Sequence, residues 1–176
     1  MVFSGSGGQG VITATIVLAE AAVLYENLNA VQSQSYGAEA RGGATRSDVI
    51  ISDSTIDYPK VIQPNVLICL TQEAYNKFYR IIRPGGLLVT DSRYVETQKK
   101  VDAQQKELPM YQSVMDRIGK PIVFNICMLG AVIEMLDLIA PESVMKVLEN
   151  RIPRDFLDLN RQALDLGLEI GNEHKK

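Results

Sequence analysis

A chain of 176 residues with 46% hydrophobic and 22% charged content has one domain's length and enough apolar material for a proper core. Its net charge of −3 offers no basic surface for nucleic acid or anionic lipid. No apolar run reaches the roughly 20 residues of a membrane span and no leader pattern opens the chain, so the expected location is the cytoplasm.

Val2 to Ser4 reads as a short strand that runs into Gly5-Ser6-Gly7-Gly8-Gln9-Gly10, four glycines in six residues. An apolar helix is expected over residues 10–27, with Val11, Ile12, Ile16, Val17, Leu18, Val23 and Leu24 distributed nearly all round it. A helix so poor in polar residues is predicted to be buried on more than one side. Residues 29–34 follow as a strand, which gives the strand, glycine loop, helix and strand of about one βαβ unit.

The loop Ser35-Tyr36-Gly37-Ala38-Glu39-Ala40-Arg41-Gly42-Gly43-Ala44-Thr45-Arg46 comes next, then a strand over residues 47–52. This connection holds no clear helix, so an antiparallel return and a mixed sheet are expected. Residues 65–71 suit a strand covered on both faces, and residues 72–82 suit a helix. Arg83-Pro84-Gly85-Gly86 turns the chain into a further strand at 87–91. Residues 96–106 are charged and show no decisive period, and Pro109 favours a break. Helices are then predicted over 125–139, from Pro141 to Asn150, and over 154–170.

Strands alternating with helices and a helical C-terminal part predict one domain, residues 1–176, folded as a three-layer α/β/α sandwich with a mixed, mostly parallel sheet. If strands 2–4 and 29–34 run parallel, the Gly5–Gly10 and Tyr36–Arg46 loops emerge on one sheet edge, where ligands of such folds bind. That edge is the expected site. Cys69 and Cys127 lie in apolar runs and read as buried hydrophobes. With no Cys-x-x-Cys the chain does not ligate an iron–sulfur cluster alone, and His174, the only histidine, lies in a charged tail.

Gly5-x-Gly7-x-x-Gly10 matches the dinucleotide fingerprint, but no acid stands at the tip of the strand ending Val31-Gln32-Ser33-Gln34. Glu26 falls too early and Glu39 too late for the ribose hydroxyl. A phosphate-binding P-loop lacks its Lys-Ser or Lys-Thr. The bland reading is a tight turn that lets helix and strand pack closely. Gln9 offers one amide on a bare loop, suited to a backbone edge or a polar ligand. Arg41 beside Gly42 and Gly43 is either a solvated charge near Glu39 or a fork for a carboxylate or phosphate.

Gly5-Ser-Gly-Gly-Gln-Gly-Val11, Ser35-Tyr-Gly-Ala-Glu-Ala-Arg-Gly-Gly43, Asn125 with Leu129-Gly130-Ala131, and Asn160-Arg-Gln-Ala163-Leu-Asp-Leu-Gly167 together resemble one family over almost the whole chain. It is the gamma subunit of the 2-oxoacid:ferredoxin (acceptor) oxidoreductases, most like the 2-oxoglutarate type. The resemblance implies the gamma-domain fold of that family and a supporting part in a larger enzyme. Such a complex converts a 2-oxoacid and coenzyme A to an acyl-CoA (here succinyl-CoA) and carbon dioxide. Its electrons pass to ferredoxin or flavodoxin.

By the same resemblance, alpha, beta and delta-type subunits are the partners. Thiamine diphosphate, magnesium and iron–sulfur clusters belong to them, and this chain holds no cofactor, metal or catalytic residue of its own. Gly5, Gly7, Gly8, Gln9, Gly10, Tyr36, Glu39, Arg41, Gly42 and Gly43 are carried over as ligand or subunit-interface loops, beside the site where coenzyme A meets the thiamine adduct. Pyruvate, branched-chain and indolepyruvate relatives share these motifs. A stand-alone dinucleotide-binding domain and a purely structural scaffold subunit are the alternatives from other classes.

Overall fold

A computed structural model describes residues 1–34, 43–98 and 100–175. Strands β1 (Val2–Gly5), β2 (Asn29–Gln34), β3 (Thr45–Ser52), β4 (Val66–Cys69), β5 (Gly86–Asp91) and β6 (Ala103–Leu108) form one sheet in the order β2-β3-β1-β4-β5-β6. Helices are α1 (Val11–Tyr25), α2 (Gln72–Phe78), α3 (Met110–Arg117), α4 (Phe124–Leu136), α5 (Pro141–Arg151) and α6 (Leu157–His174). β3 pairs antiparallel with both β1 and β2, whereas β1–β4, β4–β5 and β5–β6 are parallel. β3 alone therefore runs against the rest, which is the mixed, mostly parallel sheet expected from the sequence.

Alternation along the strands divides the core. Phe3, Val49, Ile68 and Val89 join the large cluster beneath α1 and α3 to α6, whereas Val2, Leu67, Cys69 and Leu88 face α2 and Val95. α1 lies against β2 and β3 on one side and against α4 and α5 on others. An apolar surface all round that helix is what this burial requires.

The strand, glycine loop, helix and strand of residues 2–34 hold with β1 and β2 running parallel, and β3 inserts between them, in register from Gly5 opposite Thr45 to Gln34 opposite Ser47. Residues 96–106 were ambiguous because the strand they contain, β6, is a polar edge strand, Ala-Gln-Gln-Lys-Glu-Leu. An edge strand is held by its backbone ladder on one side only, so no apolar alternation marks it. Pro109 does end that strand, and α3, which no period announced, begins at Met110. The last helix starts at Leu157 after a short 3₁₀ turn and runs on to His174.

α4 and α6 meet backbone to backbone. A Cβ on Gly167 would stand 2.9 Å from Ala131 N, one on Gly171 2.6 Å from Ala131 O, and one on Gly130 3.1 Å from the Gly167 Cα. Leu129-Gly130-Ala131 and Ala163 to Gly167, two of the motifs behind the family resemblance, are thus packing motifs. Overpacking costs roughly 1–3 kcal/mol, so Gly167→Ala is expected to lower the melting temperature by roughly 3–10 °C. Gly7→Ala, where nothing lies within 4 Å, is expected to leave it within about 1 °C. Thermal unfolding by circular dichroism of the two variants checks both.

Candidate functional site

β1 and β2 run the same way, so the Gly5–Gly10 loop and the stem at Gln34 leave the sheet at one edge. The returning stem, Gly43 and buried Ala44, enters β3 there, with Thr45 paired to Gly5. Tyr36, Glu39, Arg41 and Gly42 lie outside the described residues. The structure therefore brings Gly5, Gly7, Gly8, Gln9, Gly10 and Gly43 to one edge.

The glycine loop is closely packed on its inner side. A Cβ on Gly5 would strike Gln9 Oε1 and crowd Val11 Cγ2 and Leu70 Cβ, which lie 3.1 and 3.3 Å from where it would be. Gln9 folds back and its Oε1 accepts the Ser6 N–H at 2.7 Å, while its own N–H donates to Ser6 O at 3.3 Å. The Gln9 side chain thus holds the loop's shape. Gly8 and Gly10 adopt φ of 88° and 69°, which side-chain-bearing residues rarely adopt. Gly7 and Gly8 are exposed with open space around them. Gly10 is the N-cap of α1 and no side chain caps that helix.

A buried polar relay stands behind this edge, and sequence reading did not find it. Thr15 Oγ1 donates to Ile12 O at 2.8 Å and meets Ser47 Oγ at 2.7 Å, which also receives Gln32 Nε2 at 2.9 Å. Ser4 Oγ donates to Thr45 O at 2.8 Å. These bonds join α1, β2, β3 and β1 beneath the loops and satisfy groups that burial would otherwise penalise.

Farther along the edge, Asp91 ends β5 fully buried. Burial pushes its carboxyl above the ordinary aspartate value, against the pull of the N–H groups of Tyr111 and Arg93, which it accepts at 2.8 and 3.0 Å. The Arg93 guanidinium lies 5.5 Å from the centre of the Tyr111 ring and donates to Gln112 Oε1 at 2.6 Å. Tyr111 in turn packs edge-on to Tyr94 and to Phe124. An open cleft of about 640 Å³ lies beside Arg93 and Tyr94, bounded also by Gln72 and Glu96. A groove of about 450 Å³, lined by Met1, Val49, Ile51, Ile62, Val66 and Leu138, lies at the opposite edge, away from the glycine loop.

The arrangement excludes some chemistry on geometry. In a dinucleotide fold the strand next to β1 presents the ribose-binding acid; here β3 occupies that place. Glu26 lies at the far end of α1, accepting the Ala140 N–H. Cys69 and Cys127 belong to apolar clusters on opposite faces of the sheet, and burial pushes both thiols up to about 12. They suit neither shared cluster ligation nor nucleophilic attack, both of which need thiolates. Among the described residues no group of three or more His, Cys, Asp or Glu is placed to hold a metal ion. His174 Nδ1 is 2.8 Å from Ile170 O within α6.

The family model for pyruvate ferredoxin/flavodoxin oxidoreductase matches residues 1–170. The chain belongs to this oxidoreductase family. It is similar to the 2-oxoglutarate synthase subunit KorC of Methanocaldococcus jannaschii, 44% identical over 172 residues that cover 97% of this chain and 92% of the relative. The gamma subunit of a keto/oxoacid ferredoxin oxidoreductase from Geobacter sulfurreducens PCA superposes with a TM-score of 0.87 at 40% identity, covering 98% of this chain and 97% of that one. Pyruvate synthase subunit PorC of Methanothermobacter marburgensis is 26% identical, over 95% of this chain and 94% of the relative. The family match takes in both edge loops, α4 and α6 up to Ile170.

Two tests follow from the buried groups. A carboxyl whose folded pKa is raised keeps its proton longer in the folded state. Asp91 therefore contributes stability at low pH that is lost as pH rises above the ordinary value of 3.8. Urea unfolding followed as pH rises from below that value is expected to show this decline, and Asp91→Asn to flatten it. Both cysteines are expected to resist iodoacetamide in the folded chain and to react at once in denaturant, as read by mass spectrometry.

Proposed function

We propose that this chain is the gamma, KorC-type subunit of a 2-oxoglutarate:ferredoxin or flavodoxin oxidoreductase. The complex oxidatively decarboxylates 2-oxoglutarate with coenzyme A to give succinyl-CoA and carbon dioxide. One observation carries the choice of substrate: 44% identity to a 2-oxoglutarate synthase subunit against 26% to a pyruvate synthase subunit, at comparable coverage. A supporting role is favoured by the described part of the loop edge, where Gly5, Gly7, Gly8, Gln9, Gly10 and Gly43 offer backbone and one amide rather than a nucleophile or an acid–base pair. Thiamine diphosphate, magnesium and the iron–sulfur clusters are held by alpha, beta and delta-type partners in this reading, and none of the described residues fits them. Among the described residues no helix is long and apolar enough to cross a membrane, in keeping with a cytoplasmic complex.

In the assembled enzyme the glycine loop and the 35–43 loop face the neighbouring subunits and the coenzyme A. Bare backbone at Gly7 and Gly8 allows close approach, and Arg41 meets a phosphate or a partner carboxylate. The test is anaerobic affinity purification of the tagged chain from its native cell, followed by viologen dye reduction with several 2-oxoacids. Thiamine- and cluster-binding chains are expected to co-purify, with activity that needs coenzyme A and is highest with 2-oxoglutarate. A chain that purifies alone and binds NAD would overturn the reading. Within the active complex Arg41→Ala is expected to raise the coenzyme A KM roughly tenfold, the size of one lost charged hydrogen bond, or to weaken assembly; unchanged kinetics together with unchanged assembly counts against the loop assignment.

A further inference from the structure

We infer that Asn125 is a positioning residue that sets the glycine loop from the first turn of α4. This rests on the reading of that loop as the face turned toward coenzyme A and the partner subunits. Asn125 is only 8% exposed and sits in a run of buried residues from Phe124 to Ile133. A buried amide in an apolar helix is unfavourable unless it finds a partner, and leucine or alanine would serve the helix better. Its partner is the glycine loop: Nδ2 donates to Gly10 O at 3.3 Å.

The fit is mutual. A Cβ on Gly10 would lie 2.6 Å from Asn125 Nδ2, 2.7 Å from its Cγ and 3.0 Å from its Cβ, so the side chain fills the room that glycine leaves. Gly10 is also where the backbone leaves the left-handed region and enters α1, and its carbonyl takes the first helical bond, from Ala14 N at 3.0 Å. Asn125 thus holds the hinge between loop and helix. α4 is itself seated backbone to backbone on α6 through Gly130, Gly167 and Gly171. The position of exposed Gly7 and Gly8 is thereby referred to the α4–α6 pair as well as to the sheet.

The first experiment is amide hydrogen exchange on the full chain. Losing a hydrogen bond of about 1 kcal/mol is expected to speed exchange of the Ser6 and Gln9 amides about fivefold in both Asn125→Asp, which keeps the shape without the donor, and Asn125→Ala. The amides of α6 are expected to stay within about twofold of the native chain. Unchanged exchange in the loop, or equal acceleration in α6, overturns the positioning role. In the purified complex, Asn125→Asp is expected to raise the coenzyme A KM about fivefold with kcat within about twofold, and Gly8→Val is assayed beside it. If Gly8→Val changes the KM and Asn125→Asp does not, Asn125 has no positioning role; if Gly8→Val is silent, the assignment of the loop to the active face fails, and the exchange result alone then judges Asn125.

Discussion

The antiparallel pairing of β3 between β1 and β2 is the constraint on which the site depends. Gly5 lies opposite Thr45 and Gln34 opposite Ser47, so the exits of β1 and β2 and the entrance of β3 meet within one ladder. Gln34 at the end of β2 and Gly43 before β3 are thereby set beside the end of β1 that carries the glycine loop. The same insertion removes the neighbouring strand tip that a dinucleotide site needs. The chain keeps the glycine fingerprint and loses the ribose half of that site through topology.

Behind the edge, positions are held by contacts that leave little slack. The Thr15, Ser47 and Gln32 side chains tie α1 to β2 and β3, Asp91 ties the exit of β5 to the start of α3, and Asn125 ties the loop to α4. Apart from half-buried Gln32, each is a buried polar group with a specific partner, the arrangement that favours one geometry because alternatives leave a group unsatisfied. The α4–α6 contact extends this rigidity to the C-terminal half.

Glycine serves two separate physical needs here. At Gly8 and Gly10 it supplies positive φ. At Gly5, Gly130, Gly167 and Gly171 it removes a Cβ that would strike a neighbour. At Gly7 neither holds, and space is open. A motif spelled Gly-x-Gly-Gly-x-Gly therefore mixes structural requirement with surface exposure, and only Gly7 and Gly8 combine exposure with freedom to meet another molecule.

Local chemistry was enough to read β1 with its glycine loop, the buried α1, the antiparallel return into β3 and the double-sided β4, since each carries its apolar pattern or its glycines within a short window. The motifs shared with the oxidoreductase family also stand in the sequence, because spacing and residue type are preserved in one dimension. β6 escaped that reading, being an edge strand held by backbone bonds to β5. Gln9 suited either a backbone edge or a polar ligand, and its Oε1 accepts the Ser6 N–H, while Gly130 and Gly167, part of the family motifs, are also contact points between two helices. The Tyr111 partner of Asp91 and the partners of Asn125 and Ser47 lie 20, 115 and 14 to 32 residues away along the chain. Composition and local period determined the elements and the loops; only tertiary pairing decided which loops share an edge and what holds them, because that depends on hydrogen bonds and close contacts between segments remote in sequence.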